Sequence, residues 1–242
     1  MAAKKVLLFI VEGQSDEAAL DGVLSRLLSN EKIRFHVIKG DITTNERRGN
    51  TSIKTLVNDQ VRKFLITYHL QPKDILQVVH LMDTDGVFVP ESAIIEDSKI
   101  SQFEYTSTTI TASSKDAVRR RNATKSNNML QLARMGTTYK NIPYEAYYCS
   151  RNLEHVLHDI EGDCSPDEKL RLSDLFDEQY RDFPAAFLTF ISSVPPAVPC
   201  CDYDDSWNYI SQPEALHSLE RGCNLHILLN RMLSTSECNK IL

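Results

Sequence analysis

The sequence lacks any apolar run near the ~20 residues that a bilayer-spanning helix needs, so a membrane-embedded protein is not expected. Glycine and proline are scarce, 8 and 9 in 242 residues, which sets aside collagen-like and low-complexity chains. The six cysteines (Cys149, Cys164, Cys200, Cys201, Cys223, Cys238) form no CxxC pair and no zinc spacing, so free thiols are expected rather than a zinc ribbon or a disulfide frame. There is no excess of basic residues: 27 Lys and Arg stand against 33 Asp and Glu, a net charge of -6. That excludes a uniformly basic nucleic-acid binder and leaves room only for a local basic groove. The phosphate-loop pattern GxxxxGK[ST] is also missing, so an ATPase partner would have to be a separate chain. At the N-terminus, VLLFIV is short and runs into Glu12 and Asp16 without a small-residue cleavage site. It reads as a buried strand rather than a secretion signal, and the expected location is the cytoplasm.

What is present is an alternation of strand and helix patterns. Val6 to Val11 is an unbroken apolar run, as in a strand covered on both faces. Glu12-Gly13-Gln14 turns the chain, and Ser15 is placed to cap a helix carrying Ala18, Ala19, Val23, Leu24, Leu27 and Leu28. Ile33–Ile38 predicts a second strand, Ser52 to about Tyr68 a second helix, and Ile75–Met82 a third strand ending at Asp83-Thr84-Asp85-Gly86. Tyr144–Tyr148 predicts a fourth strand, with Asn152 capping the helix that holds Glu154. Residues 87–142 read as an insertion or lid. Leu170–Tyr180, Phe187–Ile191 and Ala215–Leu233 carry helical spacing. The expected fold is α/β: a Rossmannoid parallel sheet flanked by helices in residues 1–162, then a mainly helical region over 163–242.

The chemistry-bearing feature is the placing of acids after strands. Ligands of open parallel sheets bind at the carboxyl ends of the strands. Glu12 follows the first strand with Asp16 four residues on, Asp83 and Asp85 follow the third, and Glu154 lies just beyond the fourth. Asp83 and Asp85, two apart in extended chain, share a face. Such oxygen donors suit Mg²⁺ or Mn²⁺, which keep several waters and need few carboxylates. Each acid also has a plain reading as a turn or helix-start residue.

VEGQSDEAAL resembles the first motif of the Toprim superfamily, and LMDTDG its second, a strand ending in Asp-x-Asp. CSRNLEHVLH is similar to a third element of the OLD-like and RloB-like branches. The likeness spans roughly residues 4–160. It implies a compact α/β domain and a metal-dependent nuclease acting on nucleic acid, in a defence or repair setting. Glu12 would be a metal ligand or general base, and Asp16, Asp83, Asp85 and Glu154 would be metal ligands, with Ser150 a further candidate. No topoisomerase tyrosine domain and no primase zinc ribbon accompany the motifs.

Arg47 and Arg48, and Lys115, Arg119, Arg120, Arg121 and Lys125, form two basic segments that are candidates to grip phosphates or to lie on solvated faces. Lys140 and Arg151 flank the fourth strand, where a cation would offset transition-state charge. His155 and His158 are spaced as a helical pair, and His80 reads as a buried strand residue. Trp207, Tyr203 and Tyr209 read as anchors for the C-terminal helices. Two other functions remain open: a haloacid-dehalogenase-like phosphatase using Asp83 and Asp85 with Asp204-Asp205 as distal metal pair, and a non-catalytic binding or sensor module.

Overall fold

A computed structural model describes residues 4–38, 41–44, 51–162 and 164–238. The strands are β1 Val6–Val11, β2 Lys32–Val37, β3 Ile75–Asp83, β4 Ile94–Glu96, β5 Glu104–Tyr105, β6 Ile110–Ala112, β7 Thr137–Thr138 and β8 Ile142–Cys149. The helices are α1 Gln14–Leu27, α2 Ile53–Thr67, α3 Lys115–Ala133, α4 Leu153–His158, α5 Pro166–Tyr180, α6 Pro184–Ile191, α7 Tyr203–Ile210 and α8 Leu225–Cys238. The main sheet has the order β2-β1-β3-β8-β7, parallel except for β7. Among the described residues no helix is long and apolar enough to cross a membrane.

Alternation along each strand sorts its side chains between two apolar layers. Leu7, Phe9 and Val11 meet α1 and the C-terminal helices, while Val6, Leu8 and Ile10 meet α2 and α3. The C-terminal helices are therefore one cover of the sheet: Phe176, Phe187, Ile191, Leu225 and Leu228 share a core with Leu7 and Phe9. Trp207 is buried, rests edge-on against Tyr148, and donates to the Ala146 carbonyl, in line with an anchoring role.

Three elements differ from the sequence expectation. The stretch read as an insertion contains α3, the crossover helix between parallel β3 and β8, so the excursion narrows to residues 87–114 and its small β4-β6-β5 sheet. The cap of α1 is Gly13, not Ser15, because the Asp16 carboxylate turns back to accept the Gly13 N–H at 3.0 Å. Ala215–Leu233 is not one helix. Residues 217–224 instead bind the ends of β3 and β8 by long-range hydrogen bonds, and α8 begins at Leu225. Ser150 N–H donates to the Gly222 carbonyl at 2.7 Å, Thr84 Oγ1 donates to the Ser218 carbonyl at 3.2 Å, and Phe88 N–H donates to Ser218 Oγ at 3.2 Å.

Candidate active site at the carboxyl edge of the sheet

Three adjacent parallel strands, β1, β3 and β8, deliver Glu12, Asp83 and the turn to α4 at the same edge. Asp83 pairs in register with Cys149, the last residue of β8. The chain after Asp83 is fixed by Thr84, whose buried hydroxyl accepts from Arg151 N–H at 2.9 Å. Asp85 and Gly86 then take left-handed backbone, φ 47° and 66°. An added Cβ at Gly86 would come within 2.6 Å of Leu219, so that turn is closed to larger residues. Asn152 caps α4 by accepting the His155 N–H at 2.9 Å, which seats Glu154 in the first turn, buried.

The five acids read from the sequence converge in pairs around Asp83. Burial, followed by the charges of Glu12, Asp16, Asp85 and Glu154, holds the Asp83 carboxyl well above the usual carboxylate range. Burial pushes Glu12 up to about 8 against the pull of Lys125, with Asp41, Asp85 and Asp16 adding repulsion. Burial likewise raises Asp16 to about 6, opposed first by the Gly13 N–H and helped by Glu154. Among the described residues no hydrogen-bond donor reaches the carboxylate of Glu12 or Asp83.

Two lysines face these acids: Lys125, read from the sequence as one of the phosphate-gripping candidates, and Lys169, which had no assigned role. Lys125 of α3 is fully buried and donates to Asp41 Oδ2 at 2.7 Å and to Asp85 Oδ2 at 2.6 Å. Burial opposes its charge, but Asp85, Glu12 and Asp41 outweigh that and raise its affinity for the proton. Asp41, just past β2, is in turn held below the usual range: Lys125 and the Thr43 donors overcome its burial. Asn128 of α3 donates to the Thr43 carbonyl at 2.6 Å and pins the same loop. On the other side Lys169 of α5 donates to Glu154 Oε2 at 3.1 Å, near Asp16 and Asp83. The signal for Lys125 was available: Val118, Asn122, Lys125, Met129 and Leu132 recur at helical spacing and are all buried.

The basic candidates divide. Arg120 is exposed, and the Lys115 N–H caps back to Glu96. Arg119 is ion-paired with Glu91 and Asp116. Arg121 turns inward, donating to the Asp85 carbonyl at 2.9 Å and to Tyr105 OH at 2.6 Å beneath the Phe103 ring. Arg151 departs from the phosphate-gripping expectation: it is buried and donates to the Glu161 and Ile160 carbonyls at 2.7 and 2.9 Å, because left-handed backbone at φ 55° points it under α4. Lys140 departs too, since it precedes β8 and so lies a strand length, ~26 Å, from the acids. Ser150 is buried and donates to the His217 carbonyl. His155 accepts from Arg151 while His158 lies against Phe176, so the two imidazoles do not form a pair. His80 is buried beside Tyr144 OH at 2.8 Å, and burial lowers it to about 4. Arg47 and Arg48 lie outside the described residues.

No protein-family model, curated protein or solved structure matches this chain. Its chemistry therefore rests on the site itself. The donors are all carboxylate oxygens, the set that a hard divalent cation takes, and among the described residues no ion pair is made to Glu12 or Asp83. Among the described residues no three or more His, Cys, Asp or Glu side chains are placed together so as to hold a metal ion. The carboxylates suit such an ion in kind alone, and Lys125 pairs with one of the five, Asp85, as well as with Asp41.

A pH experiment tests this crowding. Raised folded-state values mean that Glu12, Asp16 and Asp83 contribute stability fully below about pH 4, lost as pH rises through about 6 and then about 8. In EDTA the melting temperature should fall by roughly 5 °C or more between pH 5.5 and 9, and Glu12→Gln should remove much of that fall. Identical profiles for wild type and Glu12→Gln would show that the acids do not crowd one another.

Proposed function

We propose that this chain is a Toprim-like, metal-dependent phosphodiesterase acting on nucleic acid, with Glu12, Asp16, Asp83, Asp85 and Glu154 as its acidic centre. The observation that carries the reading is Asp83 standing among four other carboxylates, with Lys169 near it and Lys125 paired to Asp85, at the ligand-binding edge of a parallel sheet. A stability-driven fold has no use for that much like charge; a site that receives a divalent ion does.

When bound, Mg²⁺ or Mn²⁺ would supply Lewis-acid stabilisation of a phosphodiester and favour an ionised water. Asp83 and Asp85, with Glu12 or Glu154, would hold it. Glu12, titrating near 8 in the free protein, exchanges a proton within the working pH range, as a general base must. Lys125, buried between Asp85 and Asp41, would set a cation beside the site, where low dielectric would strengthen its effect on developing negative charge. Arg121 fixes the Asp85 main chain and so positions its carboxylate.

The phosphatase reading loses its distal acid pair. Asp204 and Asp205 open α7, and Asp204 lines a cavity with Ala133 and Arg134, eight and nine residues, ~12 Å, along α3 from Lys125. Calorimetric titration with Mn²⁺ and with Mg²⁺ tests the proposed function. Wild type should bind, Asp85→Ala should bind at least tenfold more weakly, and the metal-loaded wild type should cleave DNA or RNA. Metal binding indifferent to Asp85→Ala, or a loaded protein inert on both substrates, would leave a binding module as the correct description.

A further inference from the structure

Strand β2 is an outer strand of the main sheet. Its even-numbered N–H groups face β1, as Lys32 N–H to Lys5 O and Ile38 N–H to Val11 O show, so the main chain of Phe35 and Val37 faces outward. Along that edge runs a groove of about 610 Å³, walled by Gly13, Gln14 and Glu17 of the α1 start, by Phe35–Val37, and by Tyr68 just past α2. Glu12 also lines it.

Tyr68 is 53% exposed, yet its ring is not loose. It lies 4.6 Å from Phe64, which meets His36 edge-on at 5.9 Å, and His36 bonds to Gln60 at 3.1 Å. The result is an aromatic platform fixed from below and open above. Lys32 and Arg34 are exposed on the same face of β2 as His36, ~7 Å apart. Lys4 and Lys5, also exposed, adjoin them, with Glu31 the acid beside. Of the helix-α3 cations, Arg119, Arg121 and Lys125 are engaged, whereas among the described residues Lys4, Lys5, Lys32 and Arg34 form no salt bridge, Lys4 and Arg34 donating only to the Ser29 and Ile33 carbonyls.

We infer that this edge is a track for single-stranded nucleic acid, with phosphates along Lys4, Lys5, Lys32 and Arg34, a base stacked on Tyr68, and the strand led to Glu12. The inference rests on the proposed function for its destination but not for its binding chemistry. Cations beside an exposed ring are the elements of sequence-tolerant single-strand binding. A duplex keeps its base faces covered and cannot use the ring. An added peptide strand is the competing occupant of an open edge, but Lys32 and Arg34 are the charged residues that discourage strand pairing.

The test is fluorescence anisotropy with a short labelled single strand, in DNA and RNA arms, in EDTA so that nothing is cleaved. Wild type should bind one or both single strands more tightly than the matching duplex. Tyr68→Ala should weaken binding roughly 5- to 100-fold, the effect of losing one base stack. The pair Lys32→Ala/Arg34→Ala should lower the salt dependence by about 1.4 in log–log slope, and Asp83→Asn should bind at least as well as wild type. Equal duplex binding, no effect of Tyr68→Ala, or an edge covered by a second copy of the chain in sedimentation would each overturn the track. Cleavage that persists while the groove variants bind normally refutes the track alone; groove binding without any cleavage refutes the phosphodiesterase alone.

Discussion

Asp83→Asn should make the protein more stable and inactive at once. Asparagine keeps the volume of aspartate and removes the charge that four neighbouring carboxylates oppose. In EDTA at pH 8 the melting temperature should therefore rise, by a few degrees if one or two kcal/mol of repulsion is relieved. Metal-dependent cleavage should drop about a thousandfold or more, ~4 kcal/mol of transition-state stabilisation. Opposite signs in the two measurements mark a residue kept for function at the expense of stability. A variant that melts lower than wild type and keeps its cleavage would show that Asp83 is structural. Thermal melts and single-turnover cleavage on the same preparation decide it.

Lys125→Met should have the largest effect on folding. The methionine fills much of the same space, but Asp41, Asp85 and Glu12 lose the cation between them. Breaking a buried ion pair from one side costs ~3–5 kcal/mol, about 10 °C or more in a chain of this size. The loss should be smaller at pH 5.5 than at pH 8.5, because Glu12, pushed up to about 8, is largely protonated at the lower pH. Saturating Mg²⁺ should restore part of the stability, since added positive charge replaces the ammonium. A loss equal at both pH values would assign Lys125 to packing alone. Urea titrations at the two pH values, with and without Mg²⁺, separate these outcomes.

The strands, their order of appearance and the acids at their ends were legible because burial on both faces leaves continuous apolar runs and the residue after each run is polar. Val6–Val11 and Ile75–Asp83 are found almost as read. What was not legible depends on contacts distant in sequence. Lys125 lies in a stretch of such polarity that it reads as a solvated face; only α3 crossing over the sheet makes it a buried partner of Asp41, 84 residues away. Lys169 meets Glu154 across two helices, and Asp41 stands three residues past the apolar Val37-Ile38 rather than directly after the run. The stretch 215–224 misled for the opposite reason: Leu216, Leu219 and Cys223 have helical spacing, yet the backbone of residues 217–224 is committed to β3 and β8.

That commitment has a consequence for the order in which the protein is made. Synthesis runs from the N-terminus, and domains form as their residues emerge. All five acids precede residue 155, but Thr84, Ser150 and Arg151, which set the turns carrying them, complete their hydrogen bonds only with Ser218 and Gly222. A nascent chain therefore carries all five acids long before it holds them in register, and the acidic cluster stays unassembled while the messenger RNA is still being read beside it.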